Sequence, residues 1–121
     1  MKDLLKENYI KKNITKEWLL KNDFKYNRYF SNKDDAIYTN RFIVARQIGR
    51  HSVSLECEVL IYYPEGDISI NVYNAGTRDK YPPFYDRQYG NSKLLDLIDD
   101  KIAKKLKQLG VKTINDRNDN N

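Results

Sequence analysis

Residues able to do chemistry are sparse in this chain, and most gather in residues 51–63, HSVSLECEVLIYY. His51 is the only histidine. A Ser–His–Asp or Cys–His device needs it within reach of a hydroxyl or thiol that it can deprotonate. Ser52, Ser54 and Cys57 are near in sequence, but alternation along a strand turns Ser52 and Ser54 to one face and Cys57 to the other. His51 itself follows a hairpin turn and is expected to be exposed. The same alternation points Glu56 and Glu58 the same way, as in metal-dependent nucleases that hold a divalent ion with strand carboxylates. Such sites usually add a lysine two positions on and a third acid. Here position 60 is Leu, and spacing ties no third acid to the pair, so a solvated face with Arg41 as ion partner is the plainer reading. One cysteine and one histidine cannot supply the four ligands of a structural zinc site. A lone Cys57 also excludes an internal disulfide and reads as a small core residue. No metal or cofactor motif is present.

A second group is aromatic and basic. Residues 74–90, NAGTRDKYPPFYDRQYG, break every periodicity and set Tyr81, Phe84, Tyr85 and Tyr89 beside Arg78, Lys80 and Arg87. A connection this long inside a compact domain is uncommon and often functional. Tyr and Arg together make protein–protein hot spots, while rings with flanking cations also hold single-stranded nucleic acid. The structural alternative is that Tyr81, Phe84 and Tyr85 fold back to cap the sheet edge or the last helix. Lys101, Lys104 and Lys107 form a further basic stripe, placed either to touch phosphates or to complement a helix dipole.

These residues depend on a sheet. In residues 53–61, Val53, Leu55, Cys57, Val59 and Ile61 alternate with Ser54, Glu56, Glu58 and Leu60, a period-two pattern. Gly49-Arg50 suits a two-residue hairpin loop after residues 37–48. That loop pairs Ile48 with His51, Val44 with Leu55, Phe42 with Cys57 and Tyr38 with Ile61. A second turn with Glu65-Gly66 at its tip pairs Ile61 with Ile70 and Val59 with Val72. Both turns deliver apolar partners to one face. The other face is mixed: Arg41 opposes Glu58, Ile43 opposes Glu56, and Leu60 lies between Thr39 and Asn71. That face is expected to be solvated or partly covered.

Residues 91–109 carry the clearest helical pattern. Leu94, Leu95, Ile98, Ile102, Leu106 and Leu109 share one stripe, Asn91 or Ser92 caps the start, and Gly110 ends it. Asp96, Asp99 and Asp100 near the start and lysines near the end complement the dipole. Residues 14–22 form a shorter helix, with Thr15 as N-cap, an Ile14–Leu19 staple and Trp18 packed on the sheet. Residues 24–30 read as a fourth strand, residues 1–12 as a short helix, and residues 113–121 as a disordered polar tail. The fold class is therefore α+β: an antiparallel meander of three or four strands, with a C-terminal amphipathic helix on one face and a short N-terminal helix. Residues 1–112 make one domain.

With 121 residues, 40% hydrophobic and 32% charged, the chain suits a soluble globular domain. It has no apolar run near the ~18 residues of a membrane span and no secretory leader, so a cytoplasmic setting is expected. A net charge of +5 permits nucleic-acid binding without requiring it. ITKEWLLKNDF, and YPPFYDRQYGN followed by a Leu/Ile helix ending KKLKQLGVK, resemble small phage- and prophage-encoded α+β proteins of low-GC Gram-positive bacteria. The resemblance spans residues 14–112, assigns no residue a role, and implies a mobile-element origin. Small domains of that origin often bind and block a host enzyme. The expected function is thus a non-enzymatic protein docking on a host protein through Arg78, Lys80, Tyr81, Phe84, Tyr85, Arg87 and Tyr89, as an inhibitor of a defence system such as CRISPR-Cas would. A homodimer is compatible with that reading. A nucleic-acid-binding accessory protein and a metal-dependent nuclease using Glu56 and Glu58 are the alternatives.

Overall fold

The computed structural model describes residues 8–48 and 53–113. In chain order the elements are β1 (Tyr9–Ile10), α1 (Lys16–Lys21), β2 (Lys25–Tyr26), β3 (Ala36–Ile48), β4 (Val53–Tyr63), β5 (Asp67–Asn74), α2 (Pro82–Tyr85), a 3₁₀ turn (Arg87–Tyr89), α3 (Ser92–Gln108) and β6 (Lys112–Thr113). The class is α+β and the sheet is antiparallel, but it has six strands, ordered β2-β3-β4-β5-β1-β6, rather than three or four.

The long strands β3, β4 and β5 carry the alternation. Phe42 pairs with Cys57, Tyr38 with Ile61 and Arg41 with Glu58, yet Leu55 faces Ala45 rather than Val44. Register shifts between Ile43 and Ala45, and again before Ile48, slide β3 along its partner, so Ile48 meets Val53 and not His51. Bulges of this kind add unpaired residues to one strand. Across the second turn Ile61 pairs with Ile68 and Val59 with Ile70, two residues from the sequence reading. Gly66 therefore leaves the tip, and its N–H closes the turn on Tyr62 O at 2.7 Å. A shift of two keeps every side chain on its face.

One face of the sheet is the core. Cys57, Val59, Ile61, Ile68, Ile70 and Val72 pack in one cluster with Leu19, Phe24, Phe84, Ile98, Ile102 and Leu106, so α1, α2 and α3 all cover this side. Thr15 Oγ1 accepts from Trp18 N–H at the start of α1, and Trp18 stacks on Phe24 with ring centroids 5.6 Å apart. Asn91 Oδ1 accepts from Leu94 N–H at the start of α3. At its end, N–H groups of Gly110 and Val111 close on Lys107 O and Leu106 O around Gly110 at φ +75°, a Schellman ending.

Three short strands depart from the sequence reading. Tyr9 and Ile10 are not helical but lie between β5 and β6, and residues 1–7 fall outside the described residues. Only Lys25–Tyr26 of residues 24–30 pairs with β3; Asn27 then turns the chain. Thr113, which its polar surroundings assign to a disordered tail, is instead buried and paired with Tyr9. Residues 114–121 are not among those described, and neither are Gly49, Arg50, His51 and Ser52. Among the described residues no helix is long and apolar enough to cross a membrane.

Candidate functional site

The face of the sheet away from the helices forms an open trough. Its floor is polar: Arg41 on β3, Glu58 on β4, and Asn71 and Tyr73 on β5. Glu58 is 4% exposed; its Oε2 accepts from Arg41 Nε at 3.0 Å. Glu56 accepts from the Tyr73 hydroxyl at 3.1 Å. The mixed face is thus more enclosed than its sequence suggests, with each carboxylate hydrogen-bonded to a neighbouring strand. Burial, then the nearby charges of Glu56 and Glu58, pushes Tyr73 up to about 12. Burial is the largest influence on Arg41 and works against its charge, but the hydrogen bond it donates to Glu58 and the nearby charges of Tyr73, Glu58 and Glu56 together outweigh burial and hold Arg41 above its ordinary value.

Two walls rise from this floor. On one side stands the turn after β2. Asn27 Oδ1 accepts from Tyr29 N–H and Phe30 N–H at 2.9 and 3.1 Å, a side-chain closure of the kind asparagine favours. It fixes a turn whose rings stay outside, Tyr29 84% and Phe30 45% exposed, with Tyr26 of β2 beside it at 56%. On the other side Arg78 lies 4.8 Å over the Tyr73 ring and Lys80 5.2 Å over the Tyr85 ring. Between the walls is a pocket of about 330 Å³. It meets a larger one of about 870 Å³ at Asn27, Tyr29 and Arg41; the larger pocket wraps the β3 edge as far as Phe42 and Lys105. Together they form one groove. Lys25, Arg28, Arg41, Arg78, Lys80 and Lys105 line it against two carboxylates, Asp23 and Glu58. That excess of four positive charges (six minus two) sits on a chain of formal net charge +5.

The loop residues singled out by sequence divide. Phe84 is fully buried and meets Tyr85 edge-on, centroids 5.3 Å apart. Tyr81 N–H donates to Val72 O at 3.0 Å, and Val72 N–H donates to the Tyr85 hydroxyl at 3.0 Å. These two residues thereby complete the outer edge of β5 where no strand covers it. Burial raises the Tyr81 and Tyr85 hydroxyls above their ordinary value, partly offset at Tyr85 by the Val72 N–H. Arg87 forms a two-pronged pair with Asp99, Nη1–Oδ2 2.6 Å and Nη2–Oδ1 2.7 Å. Phe84, Tyr85 and Arg87 therefore serve the fold rather than a partner surface, as does Tyr81 through its backbone. Only Arg78 and Lys80 reach the groove, and the Tyr89 side chain lies outside the described residues.

Lys101, Lys104 and Lys107 are exposed on α3 and do not line the groove. Lys105 does, 5.6 Å over the Phe42 ring. Asp99 is buried rather than a surface dipole acid. Cys57 is buried, and burial raises its thiol far above the ordinary value, which suits a core residue. Among the described residues no three His, Cys, Asp or Glu side chains converge to hold a metal. Tyr26, Arg28, Tyr29 and Phe30 are functional candidates that the alternation of residues 24–30 disguised as a strand. The asparagines at 27 and 32 were the available signal for a turn.

No family model matches this chain, and neither does any curated protein or solved structure.

Proposed function

We propose that this chain is a non-enzymatic binding protein that holds an acidic macromolecular partner in the groove on the uncovered side of its sheet. One observation carries the reading: six cations and the exposed rings of Tyr26, Tyr29 and Phe30 surround a groove with only two carboxylates, one of them already paired to Arg41. Exposed aromatics rimmed by charge mark interaction surfaces. The turn that bears Tyr29 and Phe30 is pre-ordered by Asn27, which lowers the entropic cost of engagement.

Docking on a host protein, as expected of a mobile-element product, would use this same surface with acidic side chains against Arg78, Lys80 and Arg28. The Tyr–Arg composition of the rim favours it as a second reading, since such residues dominate protein hot spots.

Heparin affinity chromatography tests the location of the surface. The triple variant R28E/R78E/K80E, altered only at exposed positions, is expected to elute at lower salt than the unaltered protein. The triple variant K101E/K104E/K107E on α3 is expected to elute close to it. If the α3 variant loses retention and the groove variant keeps it, the groove is the wrong surface.

A further inference from the structure

We propose that the groove binds single-stranded nucleic acid, with a phosphate on the free edge of Arg41 and a base stacked on Tyr29. The inference rests on the groove being the binding surface and narrows the partner to a polyanion that carries flat rings.

Arg41 is built for an anion. Its Nε is fixed on buried Glu58 at 3.0 Å while its side chain remains 40% exposed. Among the described residues, Nη1 and Nη2 make no hydrogen bond. A guanidinium held by one edge presents its other edge as a rigid fork, the geometry that matches two phosphate oxygens. Glu58 is therefore a positioning residue. Arg78 and Lys80 flank the same pocket and are held against the sheet by the rings beneath them, an arrangement that keeps a cation in place without neutralising it. Arg28 lies 5.5 Å from the Tyr29 ring centroid, so a cation and an exposed ring occur side by side, as on single-strand platforms.

Width argues for one strand. The walls stand on either side of the β3–β4–β5 strip, two strand spacings or ~10 Å across. One nucleotide chain can lie along that floor, but a duplex cannot descend to Arg41. An acidic peptide would satisfy the cations and leave Tyr29 without a stacking partner, so dependence on that ring separates the two classes.

The test is fluorescence anisotropy of the full chain with labelled oligothymidine, oligouridine, a short DNA duplex and oligoglutamate. At least one single strand is expected to bind more tightly than the duplex and the oligoglutamate. Its log–log salt slope should fall between about −2 and −4, as three to six released counterions give at about 0.7 each. Y29A should weaken binding roughly tenfold, the loss of one stacked base. R41K and E58Q should each weaken it several-fold, with R78A/K80A as the surface control if E58Q melts early. Equal binding of oligoglutamate, an unchanged affinity in Y29A, or no single-strand binding at ~50 mM salt would each overturn the inference. The heparin elution of R28E/R78E/K80E reads the groove assignment separately.

Discussion

Replacing Asp99 by alanine should destabilise the domain far more than a surface substitution. Asp99 lies on the inward stripe of α3, its side chain 7% exposed, and both of its oxygens are taken by Arg87, whose side chain is 18% exposed. Removing the carboxylate takes away the two charge-assisted hydrogen bonds at Arg87 Nη1 and Nη2, at a site where that side chain is only 18% exposed. Breaking a buried pair from one side costs about 3–5 kcal/mol, against a total stability of about 5–15 kcal/mol for a typical domain. For a domain near 100 residues that corresponds to a melting point lower by ~12 °C or more. R87A should cost a similar amount by leaving the acid unpaired. R87M/D99L removes both charges and refills much of the space with apolar atoms, so it should recover most of the loss. Guanidinium unfolding followed by far-ultraviolet circular dichroism supplies all three values and their coupling. A cost below ~1 kcal/mol for D99A would mean that water screens the pair, as at a surface. Arg87 would then be available to a partner, and its assignment to the fold would be wrong.

Other perturbations probe the frame around the groove. Phe84→Ala empties a fully buried ring position and should cost about 3–5 kcal/mol in denaturant melts. Gly66→Ala should destabilise by about 1–3 kcal/mol and speed hydrogen exchange at Lys11: Gly66 sits at φ +94°, a Cβ there would fall 2.0 Å from Lys11 O, and Lys11 N–H donates to Gly66 O. Tyr73 is pushed from its ordinary 10.0 up to about 12, so the folded state keeps a proton that the unfolded chain releases. Its contribution is complete below pH 10 and is lost as pH rises toward 12. Stability measured across that window should fall, and fall less steeply in Y73F.

Much of the central meander can be read from sequence because β3, β4 and β5 are long enough to show alternation. Both departures in register have local causes. Bulges in β3 insert residues between Ile43 and Ile48, and the tip of the second turn sits one residue earlier than its glycine suggests, which shifts the pairing by two. Since the second shift is even, the core face survives it. Two-residue strands such as β1 and β6 contain no periodicity to detect and exist only through their neighbours. Asp99 was partly legible: it lies four residues after Leu95 and three before Ile102, on the buried stripe, and an acid there calls for a cation. Which cation answers depends on how residues 82–89 fold, and that long-range contact has no sequence signature. The groove was illegible for the same reason. Its cations come from β2 and the turn after it, from β3, from the segment after β5 and from α3, places that only the folded sheet brings together.

Titrating isotopically labelled protein with oligothymidine and following backbone amide resonances tests the central claim most directly. Shifts should concentrate at residues 25–30, 39–42 and 78–80, around the groove. Shifts confined to Lys101, Lys104 and Lys107 on α3, or none at saturating oligonucleotide, would contradict it.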